Sequence, residues 1–155
     1  TFRKLAEEAA DLLAPHLKAS RGAWTSGVPL PGGDLSAWIG APQRPDTDFE
    51  RFLQGLQRRH PHLSPALARR LARGYGARVD RVLGKDGELG AEVAPGLLEA
   101  ELDYLHREEW ACDVEDVLWR RTKLGLHLTP AQCEAVARWC EAHWGAPQSV
   151  LRPPG

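Results

Sequence analysis

The residues best suited to bind a metal ion lie near the C-terminal end of the sequence. Cys133, Cys140 and His143, with His127 nearby, carry the thiol and imidazole groups that zinc prefers. However, Cys133 and Cys140 share the apolar stripe of one predicted helix with Val136, and no Cys-x-x-Cys pair is present. We therefore interpret both cysteines as small buried side chains, predict no metal site, and expect reduced thiols.

Other motifs of catalysis and nucleotide binding are missing from the sequence. The Gly-x-Gly-x-x-Gly fingerprint, the phosphate-binding Walker loop and the Gly-x-Ser-x-Gly nucleophile elbow do not occur. The His60-Pro-His62 pair is predicted to lie on the surface at the end of a helix. We therefore predict that the chain contains no catalytic residue.

Charge is distributed unevenly along the chain, although the formal net charge is only -1. Residues 58–81 include seven arginines and one acidic residue, whereas residues 86–116 include eleven acidic residues and one arginine. The near-neutral total argues against general attraction to nucleic acid or acidic lipid. We favour the interpretation that these segments form oppositely charged faces that pair with each other.

Two alternative functions of the chain stay open, and the first of them uses the basic segment. One is an independent helical module that binds protein or nucleic acid, and the other is a purely structural interaction domain of an unrelated protein. The first alternative is weakened because the helix predicted over residues 64–75, which carries most of the arginines that such a module would use, must turn one face to the core. The arginines in question are Arg58, Arg59, Arg69, Arg70 and Arg73.

The N-terminal third of the chain is predicted to form a helix followed by a long connection. Residues 3–17 show an amphipathic helical pattern that Pro15 is expected to kink or end. Residues 20–45 are rich in glycine and proline, which is typical of a long connection.

Helix signals continue through the rest of the chain. Capping boxes at Thr47 and Thr129, and the Ser64-Pro65 pair, each indicate a helix start. Residues 86–96 are predicted to be a loop, and no alternating strand pattern appears. We therefore predict an all-α fold, a compact helical bundle preceded by an N-terminal helical arm.

The segment that begins at Asp113 has the most complete set of helix signals. Asp113 is predicted to be the N-cap, and acidic residues follow it in the positive first turn. Val117 and Leu118 belong to its apolar stripe, and Gly125 is predicted to end the helix in a left-handed conformation.

Three cations near the end of this helix are the best candidates for contact with an anion or another domain. Arg120, Arg121 and Lys123 can complement the negative helix end and pair with acidic residues of the same chain. They can also bind an anion or a partner domain, because the arginine fork suits phosphate. We favour the first interpretation, since an acidic face is available within the chain.

The same region carries a resemblance to a known family. The string Glu-Glu-Trp-Ala…Glu-Asp-Val-Leu-Trp-Arg-Arg-Thr-Lys-Leu-Gly within 108–126 resembles the C-terminal helical domain of FAD-dependent, respiratory glycerol-3-phosphate dehydrogenases. Residues 1–9 are similar to the helix that leaves the family's flavin domain, and Leu-Pro-Gly-Gly-Asp at 30–34 matches the element that opens its C-terminal domain. Tyr75-Gly76 and the Glu-Ala-Glu…Tyr-Leu segment at 99–105 follow in the same order.

The resemblance implies that the chain is a fragment of a flavoenzyme. Such an enzyme oxidises sn-glycerol 3-phosphate to dihydroxyacetone phosphate and passes electrons to quinone, and its nucleotide-binding and substrate domains precede this segment. The absence of methionine agrees with this expectation. The implied domains are a helix leaving the flavin domain (1–20), a Gly/Pro-rich connection (21–46), a C-terminal helical domain (47–144) and a flexible tail (145–155).

The resemblance also implies where the chain meets its cofactor and partners. Thr1 and Phe2 are expected to lie near the flavin in the intact enzyme only, because the family's helix begins beside it and a helix N-terminus suits the electron-rich end of reduced flavin. The fragment alone is expected to hold no FAD and to be inactive. The expected partners are the FAD and substrate domains of the same polypeptide, with a homodimer as a further option and no nucleic acid. The expected location is cytoplasmic, with the parent enzyme peripheral on the inner membrane face.

Overall fold

The computed structural model describes residues 1–19, 21–84 and 88–145. Over these ranges the chain is mainly helical, which confirms the predicted fold class. The α-helices are α1 (Phe2–Leu13), α2 (Ser36–Ile39), α3 (Pro45–Arg59), α4 (Pro65–Tyr75), α5 (Val79–Leu83), α6 (Glu99–Glu109) and α7 (Pro130–Trp144). Short 3-10 turns occur at Thr25–Gly27, Gly76–Arg78 and Leu124–Leu126, and a π-helical segment occurs at Asp116–Arg121. Apart from Gly145, the tail predicted over 145–155 lies outside the described residues.

A small β-hairpin corrects the loop predicted over 86–96. Strand β1 (Glu92–Ala94) pairs antiparallel with β2 (Leu97–Leu98), and Gly96 between them has a φ of 76°. Strands this short cannot display the alternation that identifies a strand in a sequence. Residues 86 and 87 of the predicted loop lie outside the described residues.

The predicted helix caps at Ser64 and Thr129 are confirmed. The N–H of Leu67 donates to the Ser64 hydroxyl at 3.2 Å at the start of α4. At the start of α7, the Gln132 N–H donates to the Thr129 hydroxyl at 3.4 Å, and the Thr129 N–H donates to the Gln132 side chain at 2.8 Å. Each cap satisfies N–H groups that have no partner within the helix.

The capping box predicted at Thr47 is wrong, because the N-cap of α3 is Arg44, three residues earlier. Pro45 occupies the first turn, where its missing N–H has no consequence. The Thr47 hydroxyl donates to the Arg44 carbonyl at 3.1 Å instead of capping the helix. The buried Asp48 carboxylate holds the preceding connection by accepting from the Gln43 N–H at 2.7 Å.

The hydrophobic core lies between α3, α4, α5, α6 and α7, and α1 remains outside it. Fully burying a leucine or phenylalanine stabilises a fold by roughly 1.5–3 kcal/mol, so this core is the main source of stability. No residue of α1 is buried, and Phe2 is 93% exposed. The largest buried apolar side chains include Phe52, Leu56, Leu71, Leu83, Leu97, Leu102, Tyr104, Leu105 and Leu118.

The basic and acidic segments pair with each other through three ion pairs, Arg70–Glu101, Arg78–Glu109 and Arg81–Glu108, as predicted. Of the seven arginines in 58–81, five form ion pairs with acidic residues of the chain. The pairs are Arg59–Asp80, Arg69–Glu50, Arg70–Glu101, Arg78–Glu109 and Arg81–Glu108. Since most of the arginine charge is neutralised internally, the structure favours this interpretation over a basic binding module.

His60 is buried rather than on the surface, which corrects the prediction for the His60-Pro-His62 pair. His60 follows the last residue of α3 and is only 9% exposed, and its Nε2 atom has no hydrogen-bond partner among the described residues. Burial lowers the pKa of His60, and His62 and Arg59 lower it further, whereas Asp80 opposes the shift. Folding therefore favours the neutral form of this imidazole.

We expect this histidine to make the protein less stable in mild acid. As pH falls through the ordinary histidine value of 6.5, the unfolded chain binds a proton that folded His60 resists, so stability present above this pH is lost below it. Thermal unfolding at pH 7.5 and pH 5.5 should show a lower midpoint at pH 5.5, and His60→Gln should reduce that difference. The exposed His127→Gln is the matched control; equal pH slopes in both variants would contradict the assignment.

Candidate functional site

The helix that carries the family string starts as predicted. The Asp113 carboxylate accepts from the Asp116 N–H at 2.8 Å, which confirms Asp113 as the N-cap. The Asp116 carboxylate reaches back and accepts from the Cys112 N–H at 2.9 Å. Burial alone would raise the pKa of Asp116, but this hydrogen bond and the Arg120 guanidinium outweigh it and lower the pKa. Asp116 is therefore a charged structural residue.

Most of this helix, Asp116–Arg121, is a π-helix, which the sequence did not indicate. The Thr122 N–H bonds to the Val117 carbonyl, five residues back, at 3.1 Å, and the Thr122 hydroxyl donates to the same oxygen at 2.7 Å. Such wide turns are frequent at functional sites. Val117 and Leu118 are both buried, as predicted, so the inner face of the segment belongs to the core.

The three candidate cations have different environments. Arg120 bonds to Asp116 at 2.7 Å, and the Lys123 amine donates to the Trp119 carbonyl at the end of the segment. Arg121 is exposed and forms no ion pair with any residue in the described part of the chain. Arg120 and Lys123 therefore make the contacts within the chain that the sequence analysis favoured. Arg121 makes no such ion pair in the described part of the chain, so it is the strongest remaining candidate for contact with an anion or another domain.

The predicted left-handed stop at Gly125 is wrong. Lys123 takes that conformation instead, with a φ of 62°, and Gly125 lies in the following 3-10 turn. A side chain at Gly125 would place its Cβ 2.7 Å from the Trp119 ring. Glycine occupies this position because the indole lies directly against the backbone.

A buried ionic cluster ties α4 to α6, and the sequence analysis did not identify it. Glu101 is 1% exposed; it binds the Arg70 guanidinium at 2.8 Å and accepts from the Tyr75 hydroxyl at 2.6 Å. Arg70 also donates to the Gly96 carbonyl at the hairpin turn. Burial, followed by the charge of Glu101, raises the pKa of Tyr75, so this hydroxyl stays protonated and acts as a donor.

A close crossing of two backbones lies at the end of α4. The Gly32 carbonyl accepts from the Ala77 N–H at 2.9 Å, and Gly32 and Gly76 both have positive φ. A Cβ at Gly76 would lie well under 3.0 Å from the Gly32 carbonyl, and a Cβ at Gly32 would meet the Tyr75 carbonyl in the same way. Only glycine allows this approach without displacement.

Three of the segments that carry the family resemblance therefore converge on Tyr75. Its backbone contacts Gly32 of the Leu-Pro-Gly-Gly element, its hydroxyl binds Glu101, and its ring contacts Tyr104 edge-on at 5.3 Å between centroids. In the sequence, these motifs occur in the same order as in the resembled family. Their spacing did not predict that they contact one another. These motifs hold the fold together rather than form a catalytic arrangement.

The two predicted groups of site residues lie on different elements. Thr1 and Phe2 begin α1, and the Thr1 side chain makes no capping hydrogen bond. In the described ranges, no hydrogen bond or ion pair links α1 to Arg120, Arg121 or Lys123. Their roles toward a flavin or a partner domain remain predictions.

The predicted buried cysteine is observed at Cys140, and Cys133 packs partly against the core. Among the residues that the structure describes, no group of three His, Cys, Asp or Glu side chains is arranged to hold a metal ion. Across the same residues, no helix has the length and apolar character needed to cross a membrane.

The fold and its internal contacts define a mainly helical domain, and the sequence identifies its family. Residues 23–144 match the family model of the C-terminal domain of alpha-glycerophosphate oxidase, and the chain belongs to that family.

Three curated proteins to which the chain is similar are named as dehydrogenases. The chain is 44% identical over 135 residues to glycerol-3-phosphate dehydrogenase of Pseudomonas aeruginosa, covering 85% of this chain and 24% of that protein. It is 38% identical over 142 residues to aerobic glycerol-3-phosphate dehydrogenase of Escherichia coli K12, covering 90% and 26%. It is 37% identical over 142 residues to D-erythritol 1-phosphate dehydrogenase of Brucella abortus, again covering 90% and 26%. The chain thus spans about a quarter of the length of these relatives.

Proposed function

We propose that this chain is the C-terminal packing and assembly domain of an FAD-dependent glycerol-3-phosphate dehydrogenase. The parent enzyme oxidises sn-glycerol 3-phosphate to dihydroxyacetone phosphate and passes the electrons to quinone. The chain itself contributes contacts rather than a catalytic residue. The observation that carries this proposal is the membership of a C-terminal domain family combined with motifs whose residues bind one another inside the fold.

The exposed face of α1 supports a packing role. Leu5, Leu12 and Leu13 form much of an apolar stripe and are 65%, 76% and 55% exposed. Leaving several large apolar side chains in water forfeits roughly 1.5–3 kcal/mol for each one that burial would cover. A stripe of this kind is expected on a helix that packs against another domain, in this proposal the flavin domain of the same polypeptide. A second copy of the chain is the alternative occupant.

The start of α1 is also the proposed point of approach to the cofactor. Because Thr1 leaves the first N–H groups of the helix without a side-chain cap, they are available to an electron-rich group. Thr1 and Phe2 fit one edge of a bound flavin, and the rest of the cofactor site belongs to the preceding domains. FAD supplies the hydride acceptor when it is bound.

Arg121 supports a contact with those domains at the other end of the chain. Its charge has no ion-pair partner among the described residues, whereas Arg120 is held by Asp116. An arginine fork is well suited to a carboxylate of a partner domain. In this proposal the parent enzyme is cytoplasmic and lies peripherally on the inner membrane face.

We expect the full-length polypeptide that carries this chain to purify with bound FAD and to reduce a quinone analogue when glycerol 3-phosphate is added. The 155-residue chain alone should be colourless and inactive. D-erythritol 1-phosphate is the comparison substrate, because one relative is named for it. If D-erythritol 1-phosphate is oxidised faster than glycerol 3-phosphate, it becomes the assigned substrate. The absence of flavin from the full-length protein would refute the proposed function.

A further inference from the structure

The residue at the C-terminal end of α6 is in an unusual conformation for its type. Trp110 follows Glu109 with φ 57° and ψ 31°, and its N–H bonds to the Leu105 carbonyl. This left-handed position ends helices and is normally occupied by glycine or asparagine, because a side chain is strained there. The backbone on its far side is fixed as well, since the Ala111 N–H bonds to the same carbonyl at 3.0 Å and Ala111 is fully buried.

Among the described residues, the indole of Trp110 has no hydrogen-bond, aromatic or cation-π partner that would offset this strain. Trp110 is 82% exposed. By contrast, Trp38 is covered by the Arg59 guanidinium at 3.7 Å, Trp119 lies against Gly125, and Trp139 donates to Glu99 at 2.9 Å. A tryptophan that is both strained and exposed is better explained by a contact outside the described chain, because aromatic anchors dominate the energetics of protein interfaces.

The charges beside Trp110 indicate what kind of surface it contacts. Glu108 is held by Arg81 at 2.7 Å, and Glu109 by Arg78 at 3.4 Å. Arginines already neutralise the two carboxylates beside Trp110. The surface at this point is therefore an apolar indole ring and not a charged patch. This combination fits a pocket on a protein surface.

We propose that Trp110 is the anchor by which this domain docks into an apolar pocket on the preceding part of the same polypeptide. The inference rests on the proposed function in one respect, that the chain continues into further domains. The aligned residues cover only 24% and 26% of two relatives, which supports this. Docking covers the indole and offsets the strain of the left-handed backbone.

The substitution Trp110→Gly separates this role from a role in folding. In the 155-residue chain glycine relieves the strain, so the thermal midpoint should rise by roughly 2–4 °C. In the full-length protein the same substitution removes the anchor, so the midpoint of this domain should fall. Trp110→Phe, which keeps an aromatic ring, should retain most of the full-length stability. A rise in both contexts would overturn the proposal.

Cys112, which is exposed two residues from Trp110, provides an independent readout. Its alkylation by N-ethylmaleimide, quantified by peptide mass spectrometry, should be about tenfold slower in the full-length protein than in the isolated chain. The reason is that the docked domain must first separate from the pocket before the reagent reaches the thiol. Trp110→Gly should abolish this protection, while buried Cys140 serves as the internal control.

Equal alkylation of Cys112 in the two contexts would overturn the proposal. So would protection in the isolated chain that increases with its concentration, since the occupant would then be a second copy. The rate of Cys112 alkylation does not depend on catalysis. A full-length protein that lacks glycerol 3-phosphate oxidation but protects Cys112 would refute the proposed function and leave the docking inference intact.

Discussion

Replacing Gly76 with alanine is expected to destabilise the domain by about 3–5 kcal/mol, within the range of severe single substitutions. Gly76 has φ 53° and ψ -135°, a conformation that residues with a side chain rarely adopt. An added Cβ would also press against the Gly32 carbonyl, which is backbone and cannot rotate away. The strain and the clash act together, so relaxation at one of them does not relieve the other.

Gly74 provides the matched control for this experiment. It lies two residues earlier, in the last turn of α4, and no atom outside the neighbouring helix backbone lies within 4 Å of its would-be Cβ. Gly74→Ala should therefore stabilise the domain by roughly 0.5–1 kcal/mol through helix propensity. Urea unfolding followed by circular dichroism measures both variants. A Gly76→Ala variant within about 1 kcal/mol of the wild type would show that the crossing is not rigid.

Replacing Arg70 with methionine is expected to destabilise the domain by a similar amount, about 3–5 kcal/mol. Methionine preserves much of the apolar stem but leaves the carboxylate of Glu101 buried without its cation. Among the described residues, the Tyr75 hydroxyl is then the one remaining hydrogen-bond donor to this carboxylate. Arg81→Met is the control, because its pair with Glu108 is more exposed and such pairs contribute about 0–1 kcal/mol.

A double variant distinguishes loss of charge compensation from loss of packing. In Arg70→Met combined with Glu101→Gln, the amide removes the buried charge and still accepts a hydrogen bond from Tyr75. Unfolding by urea should show that the double variant recovers more than about 1 kcal/mol relative to Arg70→Met alone. A double variant as unstable as the single one would mean that the loss lies in packing around Arg70.

These two experiments bear on function through the family motifs. Gly76 and Glu101 lie in segments by which the chain resembles respiratory glycerol-3-phosphate dehydrogenases, and both bind other parts of this domain. The family signature in these segments therefore describes a folding requirement. Trp110 differs from them, because its strain and exposure have no explanation inside the fold.

Local chemistry explains what the sequence by itself determined. Helix starts at Ser64, Asp113 and Thr129 depend on side chains that bond to N–H groups three residues ahead, so the pattern is contained in four residues. The all-α class follows from such signals and from helical periodicity over windows of about three turns. The family resemblance belongs here too, and the match over residues 23–144 confirmed it.

The tertiary structure alone decided the features that depend on contacts between distant residues. The Glu101 cluster spans 31 positions between Arg70 and Glu101, and the crossing of Gly32 with Gly76 spans more than 40. The burial of His60 depends on which elements pack over the end of α3. No local pattern encodes these distances, because hydrophobic burial is non-directional and selects partners only when the whole core assembles.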